Sequence, residues 1–263
     1  MSSHQDAFPD FSRDYLFTFY SHGPTPDEAA VFDFLVCHYP RIKSQRCMIE
    51  VGCGPAIHHA LPAVPFVSEI HMADYLEQNL EHIRAWKDGR SDASDWRGFT
   101  ALTLKLEGRS FDEEDIVLRE CELRNKISSL LGCDLRQDSP LGHQVQYPVV
   151  GCFYCTEVVG CTDVTSAGKE EWKRVMGRLS NLVAPAGYLF LSAVKESCFY
   201  ALYSPDGKTR RLPVTFLTEQ DFRDTLPALG FDMRETIVES RDFTGQEKEG
   251  LHGVILVVAR KLA

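Results

Sequence analysis

The chain has 263 residues, of which 44% are hydrophobic and 25% charged, and its formal net charge at pH 7 is −10. These values are typical of a globular chain with enough apolar side chains for a sizeable core, and they exclude collagen-like, mucin-like and disordered proteins. Affinity for nucleic acids and for anionic membrane surfaces comes largely from clustered Lys and Arg. An acidic chain without a basic run is therefore not expected to bind either.

The N-terminal residues and the cysteines lead us to expect a cytoplasmic protein. The first fifteen residues lack the basic-then-apolar order of a secretory signal, and the apolar run at 254–259 is too short to span a bilayer. The nine cysteines form an odd, scattered set, which indicates reduced thiols. Cys152 and Cys155 form a CxxC inside an apolar stretch, and without a second CxxC or a neighbouring His we expect neither zinc nor redox chemistry there.

Short apolar runs alternate with amphipathic segments, which predicts strands that alternate with helices. In the N-terminal half, strands are predicted at 47–52, 67–74, 99–106 and 144–154, and helical patterns at 57–64, 76–86 and 113–131. In the C-terminal half, the predicted elements are a helix at 169–182, a strand at 188–194, a hairpin of 200–204 with 210–213, and a helix from Thr218 to about Leu229. The last strands are predicted at 231–239 and 253–260, and because only a loop joins them they should pair antiparallel. This order indicates an α/β fold with a largely parallel sheet.

A glycine-rich turn at the end of the first strand is the first candidate ligand site. Residues 50–55, with the sequence EVGCGP, lie between a predicted strand and a predicted helix, where open α/β sheets bind ligands. Gly52 and Gly54 would let the backbone approach a ligand closely. A dinucleotide fingerprint needs a third glycine where this chain has Ile57, and Pro55 stiffens the loop, so a pyrophosphate site is disfavoured. A plain tight turn is the other interpretation.

Asp74 ends the second predicted strand, twenty residues after Gly54. A carboxylate at this position can accept the hydroxyl protons of a ribose. Ribose binding without a pyrophosphate site favours S-adenosylmethionine over NAD, and acidic surroundings suit the sulfonium cation. An NAD-dependent oxidoreductase is the less favoured alternative.

Motifs spread over nearly the whole chain resemble the small-molecule methyltransferases that include the nicotinamide, phenylethanolamine and indolethylamine N-methyltransferases. Besides the glycine loop, they are RDYL at 13–16 with Tyr20, DYxxQNL at 74–80, LEG at 106–108, CDL at 133–135, PLG at 140–142, GL at 250–251 and VARK at 258–261. The resemblance implies a Rossmann-like class I methyltransferase: a doubly wound, seven-stranded, mostly parallel sheet with an antiparallel last strand and a helical N-terminal lid. It implies one domain, with the lid at 1–45, a cofactor-binding core at 46–194 and a substrate side at 195–263.

The resemblance also implies S-adenosylmethionine as cofactor and S-adenosylhomocysteine as product. Tyr15 and Tyr20 would lie on the lid, with Tyr20 holding the methionine carboxylate. Asp74 would bind the ribose, and Asp134 would accept a hydrogen bond from the adenine amino group. His58 stands where the family usually has a tyrosine. The other implied cofactor contacts are Gly52, Gly54, Pro55, Tyr75, Asn79, Leu135, Phe153 and Tyr154.

Three glutamates near the predicted ligand edge of the sheet indicate an amine acceptor. Glu157 and Glu196 each follow a predicted strand, and Glu249 precedes the last one. In these positions the chain is similar to the phenylethanolamine enzymes, whose acids bind the substrate ammonium. The nicotinamide enzymes instead carry an Asp where this chain has Ser192 and a serine where it has Glu196. An ammonium must lose a proton before it can attack, and a nearby carboxylate can take that proton. Solvated surface charges are the alternative interpretation of all three glutamates.

The sequence therefore predicts an S-adenosylmethionine-dependent N-methyltransferase for a small aromatic amine. The catalytic residues would be Glu157, Glu196 and Glu249, and the substrate contacts Tyr15, Ser192 and Phe199. No metal is required for such a transfer. A pyridine, thioether or oxygen acceptor is one alternative, and a catalytically silent cofactor-binding module is another. We expect a monomer whose partner is a small molecule, with no nucleic acid or membrane involved.

Overall fold

A computed structural model describes residues 11–159, 166–244 and 250–263. Seven strands form the main sheet: β1 (Gln45–Val51), β2 (Val67–Asp74), β3 (Ile127–Gly132), β4 (Tyr147–Phe153), β5 (Val183–Val194), β8 (Ile237–Asp242) and β9 (Gly253–Arg260). Their order across the sheet is β3-β2-β1-β4-β5-β9-β8, and β6 (Phe199–Tyr203) and β7 (Thr209–Pro213) form a separate hairpin. β1 to β5 pair in parallel, whereas β9 is antiparallel to both β5 and β8. The predicted mostly parallel sheet with an antiparallel last strand is confirmed.

Within the described ranges, seven α-helices accompany these strands. They are α1 (Phe11–Tyr20), α2 (Pro26–His38), α3 (Glu77–Lys87), α4 (Arg97–Leu106), α5 (Glu113–Lys126), α6 (Ser166–Asn181) and α7 (Glu219–Thr225). Short 3₁₀ helices cover Tyr39–Ile42, His58–Phe66 and Pro227–Leu229. None of the helices among the described residues has both the length and the apolar composition that crossing a membrane requires.

Two apolar cores lie on opposite faces of the sheet. Because successive side chains of a strand point to opposite faces, Met48 enters the core that also contains side chains of α2, α3 and α4, and Ile49 enters the core built with α6 and α7. Both faces of the central strands are therefore apolar and buried, as expected for parallel strands covered by helices.

The predicted strand at 99–106 is wrong, because this segment belongs to α4. Its buried residues Phe99, Thr100, Thr103 and Leu104 follow a helical spacing, and the Thr103 hydroxyl donates to the Phe99 carbonyl at 2.9 Å. β-Branched threonines favour strands in propensity, but here packing against the core selects a helix.

Other boundaries also differ from the sequence-based prediction. The helical pattern at 113–131 ends at Lys126, and β3 begins at the next residue. The predicted strand at 231–239 begins only at Ile237, since Phe231 forms just an isolated bridge with Lys261.

The N-terminal helix α1 covers the edge of the sheet where β1, β2 and β4 end. The Tyr203 amide of β6 donates to the Thr18 hydroxyl at 2.8 Å, which joins α1 to the hairpin. Asp14 is 1% exposed and forms an ion pair of 2.5 Å with Arg210 of β7. These contacts hold α1 over the carboxyl ends of the strands, where the candidate site lies.

Candidate active site

The glycine loop after β1 has the backbone shape that its sequence suggests. Gly52 has φ +69°, and a Cβ added there would overlap with Sγ of Cys155. Gly54 has φ +62°, and the first atom that a Cβ would meet is Cε1 of Tyr15, at 3.8 Å. An added Cβ at Gly54 would thus be in ordinary van der Waals contact with Tyr15, so a ligand that lies against this loop would also contact Tyr15 of α1.

Asp74 lies beside this loop at the end of β2 and is held by several donors. Its carboxylate accepts from the Gly54 amide at 2.8 Å, the Leu76 amide at 2.8 Å and Nδ2 of Asn79 at 2.9 Å. Ser12 of α1 donates to Oδ1 of Asn79 at 2.6 Å, so the lid also reaches this group. Burial raises the pKa of Asp74, and the three donors oppose that effect. The loop and the carboxylate together suit a ribose-containing ligand.

Asp134 forms a network that the sequence did not predict. Its carboxylate accepts from Nε of Arg136 at 2.8 Å and from Nη2 at 3.0 Å, and the Arg136 guanidinium lies 4.2 Å from the centroid of the Tyr75 ring. Burial raises the pKa of Asp134, but the bonds from Arg136 outweigh burial and lower it. An adenine amino group that binds Asp134 must therefore compete with Arg136. Leu135, the residue between Asp134 and Arg136 in the sequence, is buried in the core beside α6.

Tyr15 and Tyr20 of α1, which the resemblance assigns to a lid, lie side by side. The hydroxyls of Tyr15 and Tyr20 are 3.4 Å apart, and the Tyr20 hydroxyl donates to Oε1 of Glu28 at 3.3 Å. Burial raises the pKa of both phenols, so they are neutral hydrogen-bond donors at physiological pH.

A cavity between the lid, α2 and the ends of β4 and β5 combines aromatic walls with three carboxylates. Its lining residues are Tyr15, Phe19, Tyr20, Asp27, Glu28, Tyr154, Glu157, Val158, Val194, Tyr200 and Leu251. Carboxylates within an aromatic wall are suited to a small cation, because charge attraction and cation–π contact act together.

Glu157 is the predicted acid that the structure places in this cavity. Its side chain is fully buried, and Oε1 accepts from the Val194 amide at 2.9 Å. Burial raises the pKa of Glu157 to about 7. The group therefore exchanges a proton near neutral pH, as a general base requires.

Asp27 and Glu28 line the same cavity, although neither was predicted from the sequence. Oδ2 of Asp27 accepts from the Tyr154 hydroxyl at 3.2 Å, while Oδ1 is buried with no hydrogen-bond partner among the described residues. Burial and the neighbouring Glu28 raise the pKa of Asp27. Acidic residues are common in the first turn of a helix because they stabilise its dipole. That pattern gave no sign that this turn of α2 would face the sheet edge.

Glu28 also contacts two adjacent histidines. Its Oε2 lies 3.0 Å from Nε2 of His59 and 3.4 Å from Nε2 of His58, and Nδ1 of His59 lies 3.7 Å from Oε1 of Glu50. Burial lowers the pKa of His59, but the two carboxylates outweigh it and raise the value to about 9. Burial and the adjacent His59 lower the pKa of His58 to about 4.

Several predicted site residues are not brought to the cavity wall. Glu196 is exposed, and Phe199 is half-buried beneath the Arg211 guanidinium, 4.5 Å from the ring centroid. Ser192 is fully buried within β5, and its hydroxyl has no partner among the described residues. Glu249 lies outside the described residues.

The remaining predicted contacts lie near the glycine loop and the end of β4. Pro55 is buried in that loop, and Phe153 packs against His59 with ring centroids 4.5 Å apart. Tyr154 follows and lines the cavity.

Solved structures with a similar fold cover nearly the whole chain. A complex of DhpI with SAM and HEP is 14% identical, with a TM-score of 0.59 over 99% of this chain and all of the other. Magnesium protoporphyrin IX methyltransferase of Synechocystis PCC 6803 with bound SAM is also 14% identical, with a TM-score of 0.57 over 98% of this chain and 95% of the other. At these identities the similarity establishes the class I methyltransferase fold.

Sequence relatives place the chain more narrowly. It is 27% identical over 259 residues to nicotinamide N-methyltransferase of Homo sapiens, covering 95% of this chain and 92% of the relative. It is 30% identical over 186 residues to indolethylamine N-methyltransferase of Mus musculus (67% of each chain), and 26% identical over 183 residues to phenylethanolamine N-methyltransferase of Bos taurus (70% and 61%). The model of the NNMT/PNMT/TEMT family matches residues 1–262. The chain therefore belongs to the NNMT/PNMT/TEMT family.

Proposed function

We propose that this protein methylates the nitrogen of a small aromatic amine, with Glu157 as the general base. As a member of its family, it is an S-adenosylmethionine-dependent methyltransferase, and the other product is S-adenosylhomocysteine. The observation that supports an amine acceptor is the buried carboxyl of Glu157 in a cavity whose other walls are aromatic and acidic.

In this proposal the cofactor lies between the glycine loop and the lid. Asp74 and Asn79 bind its ribose, Tyr20 contacts its carboxylate, and Asp134 and Leu135 contact its adenine. Gly52, Gly54, Pro55, Tyr75, Phe153 and Tyr154 would complete its surroundings. S-adenosylmethionine supplies an electrophilic methyl group bonded to a sulfonium.

The acceptor would occupy the cavity between Tyr15, Tyr200 and the carboxylates. An ammonium has no lone pair, so Glu157 first attracts it and then takes its proton. The Val194 amide holds the Glu157 carboxylate in place. Much of the acceleration comes from fixing the freed nitrogen in line with the transferred methyl group.

Replacement of Glu157 by Gln tests this role. We expect E157Q to lower kcat/KM for amines by about 10²- to 10⁴-fold, the range found for loss of a general base. Binding of S-adenosylhomocysteine, measured by calorimetry, should stay within about twofold, because Glu157 is not among the proposed cofactor contacts. E122Q, at an exposed position of α5, is the matched control and should be unchanged. Wild-type turnover by E157Q would contradict the proposal.

Glu196 and Glu249 stay in the proposal as secondary acids. Since Glu196 is exposed and does not line the cavity, we expect E196Q to lower amine turnover less than E157Q does. We also propose that the protein is monomeric, which size-exclusion chromatography with light scattering would check.

A pyridine acceptor is the second candidate, and the full-length similarity to nicotinamide N-methyltransferase supports it. A pyridine nitrogen already has a free lone pair, so its methylation needs no base. With a panel of amines and pyridines and a labelled methyl donor, amine rates should rise with pH near 7 and pyridine rates should stay level. Turnover of pyridines alone would replace the amine proposal.

A further inference from the structure

We propose that Glu28, His58 and His59 form a binding site for one divalent transition-metal ion, with zinc favoured by the donor set. Two imidazoles and one carboxylate are a ligand combination that zinc uses in proteins. The sequence alone gave no reason to expect a metal here. The proposal is separate from the identity of the methyl acceptor and is tested by metal binding.

The three ligand atoms already converge. Nε2 of His59 and Nε2 of His58 lie 3.0 Å and 3.4 Å from the same oxygen, Oε2 of Glu28, and all three atoms lie within 4.8 Å of one another. Ligand atoms about 2.0 to 2.1 Å from a tetrahedral zinc ion are separated by roughly 3.4 Å. Only small side-chain movements would therefore place an ion between them.

His58 supplies an independent reason to expect a ligand. The residue is fully buried, yet neither ring nitrogen makes a hydrogen bond with the described residues, even though Glu28 is close. Its ring stacks against Trp96, with ring centroids 5.0 Å apart and an angle of 4° between the ring planes. It also stacks against Phe32, with centroids 5.9 Å apart and an interplanar angle of 11°. A buried polar atom that makes no hydrogen bond destabilises the folded protein. A metal ion at Nε2 would satisfy one of these atoms.

The surroundings of His59 fit a metal ligand. Its Nδ1 lies 3.7 Å from Oε1 of Glu50, and a metal-bound histidine usually gives its other N–H to a carboxylate, which fixes the ring. Oε2 of Glu50 has no hydrogen-bond partner among the described residues. Glu28 and Glu50 together carry the negative charge that balances a divalent ion. An ion pair between Glu28 and a protonated His59 would explain the contact between these two residues. It would still leave the ring nitrogens of His58 without a hydrogen-bond partner among the described residues.

An ion could reach this site from the cavity. Glu28 and Tyr20 both line the cavity, and the histidines lie behind them. With three protein ligands, the fourth coordination position would be open, and the Tyr20 hydroxyl, 3.3 Å from Oε1 of Glu28, lies beside the cluster.

Metal binding to the chelator-treated full-length protein tests the proposal. Calorimetric titration with zinc chloride should give one ion per chain with a dissociation constant below about 1 μM. Cobalt(II) should give the intense visible absorption of a four-coordinate site. H59Q and H58F should each weaken zinc binding by about 100-fold or more, and H58F retains an aromatic ring between Trp96 and Phe32, so it should fold.

The control is H71Q. His71 belongs to the partly exposed cluster of Cys47, Glu69 and His71, the other group of possible ligands among the described residues. H71Q should bind zinc as the wild type does. The proposal is overturned if the wild type binds no zinc at micromolar concentrations, if folded H58F and H59Q retain full affinity, or if H71Q abolishes binding.

Discussion

Glu157 couples the stability of the protein to its proposed chemistry. Its pKa of about 7 in the folded state lies above the ordinary glutamate value of 4.5, because the carboxylate is buried. A carboxyl group whose pKa is raised in the folded state binds its proton more tightly there than in the unfolded state. It therefore stabilises the folded state only while it is protonated. This contribution is complete below about pH 4.5 and is lost as the pH rises through 7.

The first prediction is that E157Q stabilises the protein at alkaline pH. A difference of about 2.5 pKa units corresponds to roughly 3 kcal/mol, and the neutral amide does not carry this cost. Urea denaturation measures the free energy of unfolding of each protein, and the value for E157Q minus the value for the wild type is the quantity of interest. This difference should be about 2 kcal/mol larger at pH 8 than at pH 5. E122Q should show no such pH dependence. An equal difference at both pH values would mean that Glu157 does not titrate in this range.

Gly52 gives a second prediction at the residue scale. G52A places a side chain at a strained positive φ and makes its Cβ overlap with Cys155. Gly89 has a similar φ of +68°, but an added Cβ there would meet no atom of the described residues within 4 Å. We expect G89A to cost about 1 kcal/mol and G52A at least about twice as much, since overpacking alone costs about 1–3 kcal/mol. Urea midpoints would measure both, and equal values would show that Cys155 moves aside freely.

Single residues also show what the sequence could not predict at the site. Gly52, Gly54 and Asp74 come together because the glycines follow β1 and Asp74 ends β2 at the same sheet edge, which the strand pattern predicted. Asp27 and Arg136 were missed, because their positions depend on how α2 and the loop after β3 pack. No local pattern encodes that packing.

At the scale of elements, the Thr18 hydroxyl is one of the groups that join the lid helix α1 to the hairpin of β6 and β7. The Thr18 hydroxyl receives the Tyr203 amide at 2.8 Å, lies 3.1 Å from the Tyr203 carbonyl, and is 2.7 Å from the Asp14 carbonyl within its own helix. It therefore joins α1 to β6 by hydrogen bonding, in addition to the ion pair of Asp14 with Arg210.

The third prediction is that T18V loosens the lid. Valine keeps the shape but removes the hydroxyl that accepts from the Tyr203 amide, and loss of such a hydrogen bond costs about 0.5–1.5 kcal/mol. Limited proteolysis should cleave α1 several-fold faster in T18V, and the affinity for S-adenosylhomocysteine should fall. S21A is the control, since the Ser21 hydroxyl also donates to a carbonyl four residues earlier, but it is exposed and joins α1 to no other element of the described residues. Unchanged proteolysis of T18V would show that the other contacts of α1, such as the ion pair of Asp14 with Arg210 and the bond from Ser12 to Asn79, are enough to hold the helix.

Element prediction succeeded where burial and periodicity agreed. The central strands are apolar on both faces, and α6 carries one apolar stripe, so both were recognisable from the sequence. It failed at α4, where threonines that favour strands lie on a buried helical face, and at β8, where a bridge at Phe231 precedes the strand. In both places contacts with distant residues, which the sequence does not display, determine the conformation.

At the scale of the whole molecule, charge favours the capture of cations. The chain carries a formal charge of −10, and Asp27, Glu28 and Glu157 concentrate acidic groups in the cavity. A protein of one dominant sign attracts ligands of the opposite sign, and narrow cavities focus this field. The attraction between exposed charges is screened beyond about 10 Å at 0.1 M salt.

The fourth prediction follows from this field. With S-adenosylmethionine at saturation, kcat/KM for a protonated amine should fall several-fold as sodium chloride rises from about 20 to 300 mM, because screening weakens the attraction. An uncharged pyridine acceptor serves as the internal control, since its encounter with the cavity does not depend on the field. Its kcat/KM should change by less than about 1.5-fold over the same range. Equal salt dependence for both acceptors would show that the acidic charge plays no part in selecting the substrate.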